Sequence, residues 1–160
     1  MKLPFYQIDA FTNKIFGGNP ACVVPLKEWI PNSTLLNIAK ENAVPETAFF
    51  IEHGERFHLR WFTPEIEMDL CGHATLATAH CLKTQMNYPK KEIVFETLSG
   101  DLTVAMYDEM YHLDFPSRMP IASELPKSIK NSLNIMPKEV YKSRDYVLVY
   151  DTEEEIESIQ

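Results

Sequence analysis

The sequence predicts an α+β fold in which a mixed or antiparallel sheet curls around helices. Three observations predict it. Short aromatic and β-branched runs recur from the N-terminus to Phe115, bounded by Gly, Pro, Asn or Asp. Two stretches with helical character interrupt them, one around Leu35-Leu36-Ile38-Ala39 and one rich in Ala and Thr from His73. The segment from Ile93 to Phe115 reads as a three-strand meander.

In chain order, Leu3 to Phe11 is aromatic and partly alternating, a first strand. Gly17-Gly18-Asn19-Pro20 is a strong turn signal, and Ala21 to Pro25 a short buried strand. Pro31-Asn32-Ser33 offers caps to a helix that runs to about Ala43, where Val44-Pro45 stops it. Thr47 to Ile51 and Phe57 to Phe62 read as strands, with His53-Gly54-Glu55-Arg56 as the hairpin loop between them. The Cys71-Gly72-His73 corner opens a helix to Lys83 or beyond, Gly72 letting the backbone bend sharply. Ile93 to Leu98, Leu102 to Tyr107 and Tyr111 to Phe115 form the meander, with a tight turn at Ser99-Gly100-Asp101. Phe115 to Pro120 holds two prolines and reads as a linker. It divides a first domain, residues 1–116, from residues 121–160. In the latter, Ala122 to Leu133 predicts a helix with Pro126 in its first turn, Tyr146 to Tyr150 a strand, and Asp151 to Glu155 a helix start. About 40 residues rarely fold unaided, so this second piece is expected to be the beginning of an incomplete domain.

Composition narrows the function. Of 160 residues, 45% are hydrophobic and 24% charged, enough apolar material for a core. The formal net charge of -8 and the lack of a basic face exclude nucleic acid as an expected partner. No basic amphipathic helix suggests a membrane surface, and no apolar run approaches the ~18 residues of a span. Three cysteines, Cys22, Cys71 and Cys81, do not make a disulfide framework, which predicts a cytoplasmic location.

Several side chains stand where chemistry is possible. Glu46 follows a helix end and a proline and precedes a buried strand. Such a carboxylate is either partly desolvated, hence an acid or base near neutrality, or an ordinary solvated loop residue. The Cys71-Gly72-His73 corner has three readings. The slim helix start can bind an anion through its unpaired N–H groups and dipole. His73 and His80, flanked by Cys71 and Cys81, can be read as metal ligands, although their spacing is not that of common zinc sites. Cys71 beside a helix N-terminus can be a thiolate of lowered pKa, or a plain buried cysteine. Cys22 and Cys81 lie in apolar runs and read as core. Asn19 either caps a turn or places an amide in a pocket. His53, His58 and His112 read as structural, and Glu65, Glu67 and Asp69 as solvated or cation-holding turn carboxylates. No serine-hydrolase, Walker or Rossmann pattern is present.

Three segments, in this order, carry a resemblance. They are Asp9-Ala10-Phe11-Thr12 with Phe16-Gly17-Gly18-Asn19-Pro20-Ala21, then Asn42-x-x-Pro45-Glu46-Thr47-Ala48-Phe49. The third is Arg60-Trp61-Phe62-Thr63-Pro64 with Asp69-Leu70-Cys71-Gly72-His73-Ala74-Thr75-Leu76-Ala77. Together they resemble the phenazine-biosynthesis PhzF-like family, related in fold to diaminopimelate epimerase. The resemblance implies two similar domains, each a sheet rolled around a central helix, with a cleft between them. It implies an isomerase that moves protons on a small carboxylate substrate without cofactor or metal. It places the acid/base at Glu46 and substrate contacts at Gly72 and His73; Asn19, read above as a possible pocket amide, is expected to bind substrate beside them. In the related epimerases a cysteine equivalent to Cys71 is a base, which leaves a minor role for Cys71 open. The family's second-domain Asp-Pro-x-Thr-Gly-Ser motif does not occur in this sequence. The expectation is therefore a truncated chain whose catalysis is impaired, or alternatively a non-catalytic, self-associating binding protein, such as a homodimer, or an inactive fragment.

Overall fold

The computed structural model describes all 160 residues. The chain divides into two compact units, Met1–Pro116 and Ser117–Gln160.

The first unit is one mixed sheet and two helices. Its strands are β1 (Tyr6–Ala10), β2 (Asn19–Pro25), β3 (Glu46–His53), β4 (Arg56–Phe62), β5 (Glu67–Met68), β6 (Glu92–Thr97), β7 (Gly100–Tyr107) and β8 (Met110–Asp114). The helices are α1 (Asn32–Asn42) and α2 (Gly72–Thr84). The sheet order is β1-β2-β3-β4-β6-β7-β8, with β5 paired to β4. Two neighbouring pairs are parallel, β2 with β3 and β4 with β6. Parallel neighbours need a crossover, and each crossover here carries a helix. The β3–β4 hairpin reverses strand direction between the two crossovers. Crossovers of one hand must then put α1 and α2 on opposite faces.

Strand alternation sorts the side chains accordingly. Ala21, Val23, Ala48, Phe50, Phe57, Leu59 and Trp61 face α2 and form the main core. Val24, Phe49 and Phe62 face the other way, onto Leu35 and Ala39 of α1. The main core holds α2 in its middle, in contact with β1, β2, β3 and β8. A helix so enclosed has room for small residues only, and Ala74, Thr75, Ala77, Thr78 and Ala79 are all fully buried. The two buried hydroxyls bond back into the helix, Thr75 Oγ1 to the Cys71 carbonyl at 2.6 Å and Thr78 Oγ1 to the Ala74 carbonyl at 2.7 Å. On the outer face Arg60 grips both oxygens of Glu67 at 2.7 Å and lies over the rings of Trp29 and Phe62.

Several local expectations need correction. Pro31 precedes α1 without any side-chain cap, and α1 ends instead through Ala43 in the left-handed region (φ 52°). Asn19 and Pro20 begin β2 rather than turning. The turn lies earlier, with Gly18 at φ 76°, where an added Cβ would stand 2.3 Å from the Ala10 carbonyl oxygen.

The second unit contains β9 (Ile121–Ala122), α3 (Lys127–Lys130), β10 (Glu139–Lys142), β11 (Tyr146–Val149) and α4 (Glu153–Glu157). Its three strands pair antiparallel in the order β11-β10-β9. The helix expected over 122–133 is replaced by β9 and a four-residue α3. Pro126 is the reason: it sits at ψ 143°, and the residue before a proline is pushed out of helical geometry. The acidic helix start is present as a full capping box, with the Thr152 hydroxyl accepting from the Glu155 N–H and the Glu155 carboxylate accepting from Thr152 N–H. No residue from 117 to 160 is fully buried. No helix of the chain is long and apolar enough to cross a membrane.

Candidate active site

Glu46 is placed by a short, well-pinned turn. Beyond Ala43 the chain bends at Val44-Pro45, and the Asn42 Nδ2 donates to Thr47 Oγ1 at 3.0 Å across the bend. Thr47 is fully buried, so this bond fixes the backbone on the far side of Glu46. Glu46 is the first residue of β3 and pairs with Ala21 in the parallel β2–β3 ladder. Asn19, two residues before Ala21, therefore lies at the same end of the sheet. The Glu46 side chain is 16% exposed.

The facing group arrives by a second route. Trp61 pairs with Met68, and β5 leads through Asp69 and Leu70 to Cys71, the extended N-cap of α2 (φ −147°, ψ 112°). Gly72 is the first residue of the helix, with no positive φ. The sharp-bend reading of Gly72 is thus not met, and a Cβ there would make only ordinary van der Waals contact, 3.4 Å from Cε2 of Phe115. The Gly72 and His73 N–H groups belong to the first turn of α2, where no preceding turn supplies acceptors.

His73 joins the two routes. Its Nε2 is 3.2 Å from Glu46 Oε2, and its Nδ1 is 3.5 Å from Cys71 Sγ. The approach to Glu46 has hydrogen-bond length without hydrogen-bond direction, so His73 Nε2 remains a buried nitrogen with no bonded partner. The His73 side chain is 10% exposed. Trp61 Nε1 is a second buried donor lacking a partner. Pairing of Trp61 with Ala48 puts it on the Glu46 face of the sheet, because Glu46 and Ala48 share one side of β3.

Cys71 is a thiol. Burial pushes it from 9.0 up to about 12, the Ala74 N–H works against this, and the Glu46 carboxylate adds to it. Desolvation works against a thiolate of lowered pKa, outweighing the helix N-terminus at this depth. Glu46, Cys71 and His73 offer donor atoms within 4.8 Å of one another, a set that can hold a metal ion. This set differs from the His73–His80 pairing considered from sequence. His80 Nδ1 instead lies 3.1 Å from the Tyr111 hydroxyl, and Cys81 is in the core. The two ring nitrogens of His73 lie beside separate groups, Nδ1 by sulfur and Nε2 by carboxylate, whereas a ligand set aims its lone pairs at one point.

The remaining candidates are occupied otherwise. Glu67 is held by Arg60. Trp29 Nε1 donates to His58 Nδ1 at 3.2 Å, His53 pairs with Glu96, and the His112 ring meets Tyr107 edge-on. Sequence reasoning did not find the Cys71–His73 contact, the Asn42–Thr47 bond or the Phe115 ring over Gly72. The first two had a local signal, polar side chains two and five positions apart around a helix end. Phe115 had none, since only the curl of the sheet brings β8 back over α2.

Comparison with known proteins finds relatives of the same family and fold. Residues 8–148 match the family of phenazine biosynthesis-like proteins, PhzC-PhzF. An uncharacterized isomerase of Pseudomonas aeruginosa is 41% identical over 159 residues, which is 99% of this chain and 61% of that protein. The crystal structure of a PhzF-family phenazine biosynthesis protein of Enterococcus faecalis superposes with a TM-score of 0.88 at 41% identity, over 100% of this chain and 62% of the other. A predicted epimerase of Pseudomonas aeruginosa shares the fold at 17% identity, with a TM-score of 0.70 over 99% of this chain and 63% of that one. The chain thus spans less than two thirds of the length of these relatives.

Proposed function

Because the chain belongs to the phenazine biosynthesis-like PhzC-PhzF family, we propose that it is built for isomerisation by proton transfer on a small carboxylate substrate. The observation that carries this reading is the buried approach of His73 Nε2 to Glu46 Oε2 at 3.2 Å, at the N-terminus of α2. Glu46 is the acid/base. As a carboxylate it takes a proton from one carbon of the substrate, and as the acid it returns that proton to another. The reaction balances with no electron donor or acceptor. The substrate carboxylate sits on the Gly72 and His73 N–H groups, where the helix dipole favours negative charge. Asn19, at the same sheet end, supplies an amide to the substrate. The unbonded donors of His73 and Trp61 support an oxygen-bearing ligand at this wall, since buried donors normally have acceptors.

A small cyclic or amino-acid-like carboxylate is the substrate class. The name isomerase on the Pseudomonas relative supports the reaction type. All the groups named lie within residues 1–116. The test is incorporation of solvent deuterium into a panel of small cyclic and amino-acid-like carboxylates. Exchange that survives Glu46→Gln undiminished overturns the assignment.

A second reading, a self-associating binding protein, is favoured by the β1–β2 loop, where Phe11, Ile15 and Phe16 are exposed by 69%, 85% and 100%. Sedimentation separates the two: a monomer with deuterium exchange supports the enzyme, a dimer without exchange the binding protein.

A further inference from the structure

We infer that Cys71 is a positioning residue for His73, its thiol donating to Nδ1 and so keeping the imidazole proton on Nε2, turned towards Glu46. The catalytic half of this inference rests on the proton-transfer reading above; the positional half does not.

A neutral imidazole has one N–H, and the group facing one nitrogen decides which nitrogen carries it. Here both neighbours favour the same answer. The Cys71 sulfur is 3.5 Å from Nδ1, a normal sulfur hydrogen-bond length. With the thiol as donor, Nδ1 accepts. On the other side, Nε2 stands 3.2 Å from a carboxylate oxygen. Were the proton on Nδ1, the Nε2 lone pair would lie beside that oxygen and lose the attraction, while the sulfur would serve only as a weak acceptor.

Cys71 is suited to the task by its own anchoring. The Thr75 hydroxyl and N–H both bond its carbonyl, at 2.6 Å and 3.3 Å. The residue is only 7% exposed, so its thiol has few alternative acceptors. It donates no disulfide, and all three cysteines are unpaired. Burial also keeps it protonated, hence a donor, far beyond neutral pH. A base or nucleophile needs the opposite properties, an exposed and readily ionised sulfur.

The experiment is nitrogen NMR of histidine-labelled protein, which reports the tautomer of His73 without any substrate, together with deuterium-exchange kinetics. The wild-type ring is expected as the Nε2–H tautomer. Cys71→Ser, which keeps a donor, retains that tautomer and most of the exchange rate. Cys71→Ala shifts the ring towards Nδ1–H and lowers kcat by about ten- to a hundred-fold, the usual loss on removing an orienting partner, with KM little changed. A wild-type Nδ1–H ring overturns the inference, as does an alanine variant with unchanged tautomer and unchanged kcat. If either variant unfolds by circular dichroism, the wild-type tautomer alone decides. If exchange survives Glu46→Gln while the tautomer still follows residue 71, the proton-transfer reading has failed and the positioning role stands.

Discussion

His73 Nε2 and Glu46 Oε2 stand 3.2 Å apart without forming a hydrogen bond. On the proposed mechanism, the carboxylate is the group that handles the substrate proton. Glu46→Gln keeps the shape and removes the titrating group. The expected loss of deuterium exchange is at least about 100-fold, the lower end for a general acid–base residue. The melting temperature, read by circular dichroism, should hardly move.

Gly18 tests the loop that leads into Asn19. Its φ of 76° and the 2.3 Å approach of a built Cβ to the Ala10 carbonyl leave no space for a side chain. Gly18→Ala should destabilise the protein by about 1–3 kcal/mol in urea titration. It should also weaken substrate binding more than it slows the chemical step, because Asn19 moves with the loop.

The enclosed helix makes a sharper packing prediction. Ala77 is fully buried between α2 and the sheet. Ala77→Leu forces extra volume into a filled layer and should cost about 1–3 kcal/mol. Leu59→Ala, in the same core, removes volume instead and should cost about 2–5 kcal/mol. Equal and negligible effects in urea titration would contradict the enclosure of α2.

The buried thiols fix an alkaline limit. Burial raises Cys22 and Cys81 from 9.0 to about 11, and Cys71 to about 12. An ionised thiol is thus better tolerated unfolded than folded. Stability from these groups is complete below pH 9.0 and drains away as pH rises through about 11 and 12. Urea midpoints should be flat from neutrality to that lower bound and fall above it. A chromogenic thiol reagent at neutral pH should react with the denatured chain and scarcely with the native one.

Much of this was legible in the sequence. Every long strand of residues 1–116 was visible from aromatic and β-branched runs, because β4 and β6 bury alternate residues while β2 and β3 are buried on both faces as continuous apolar runs. The helix from the Cys71 corner was visible from its Ala and Thr content, which enclosure demands. What stayed hidden was set by distant partners. The two-residue β5 exists only because Trp61 and Phe62 offer an edge to Met68 and Glu67. In the second unit, Ile121 and Ala122 carry helical neighbours yet pair with Lys142 and Tyr141. For the site, Glu46, Gly72 and His73 stood out through their motifs. The protonated state of Cys71 did not, since spacing reveals the helix end but not the depth of burial.

The second unit supplies a dynamic prediction. With no fully buried residue, its three-stranded sheet has little apolar area to hold it closed. Amides of β9, β10 and β11 should exchange with solvent well before those of β2, β3 and β4 in native-state hydrogen exchange. Thr152→Ala, which removes half of the capping box, should cost α4 about 1 kcal/mol and fray it first.

The parallel β2–β3 ladder has a kinetic consequence. Glu46 gains its position only after α1 has closed the crossover, and His73 only after the β4–β5 turn has swung α2 beneath the sheet. Closing such loops precedes the contacts that reward it, which slows the search. The His73–Glu46 pair should therefore be among the last features to form on refolding. Its appearance times the arrival of the native state, and a chain caught earlier would have secondary structure and collapsed apolar surface but nowhere to put a substrate.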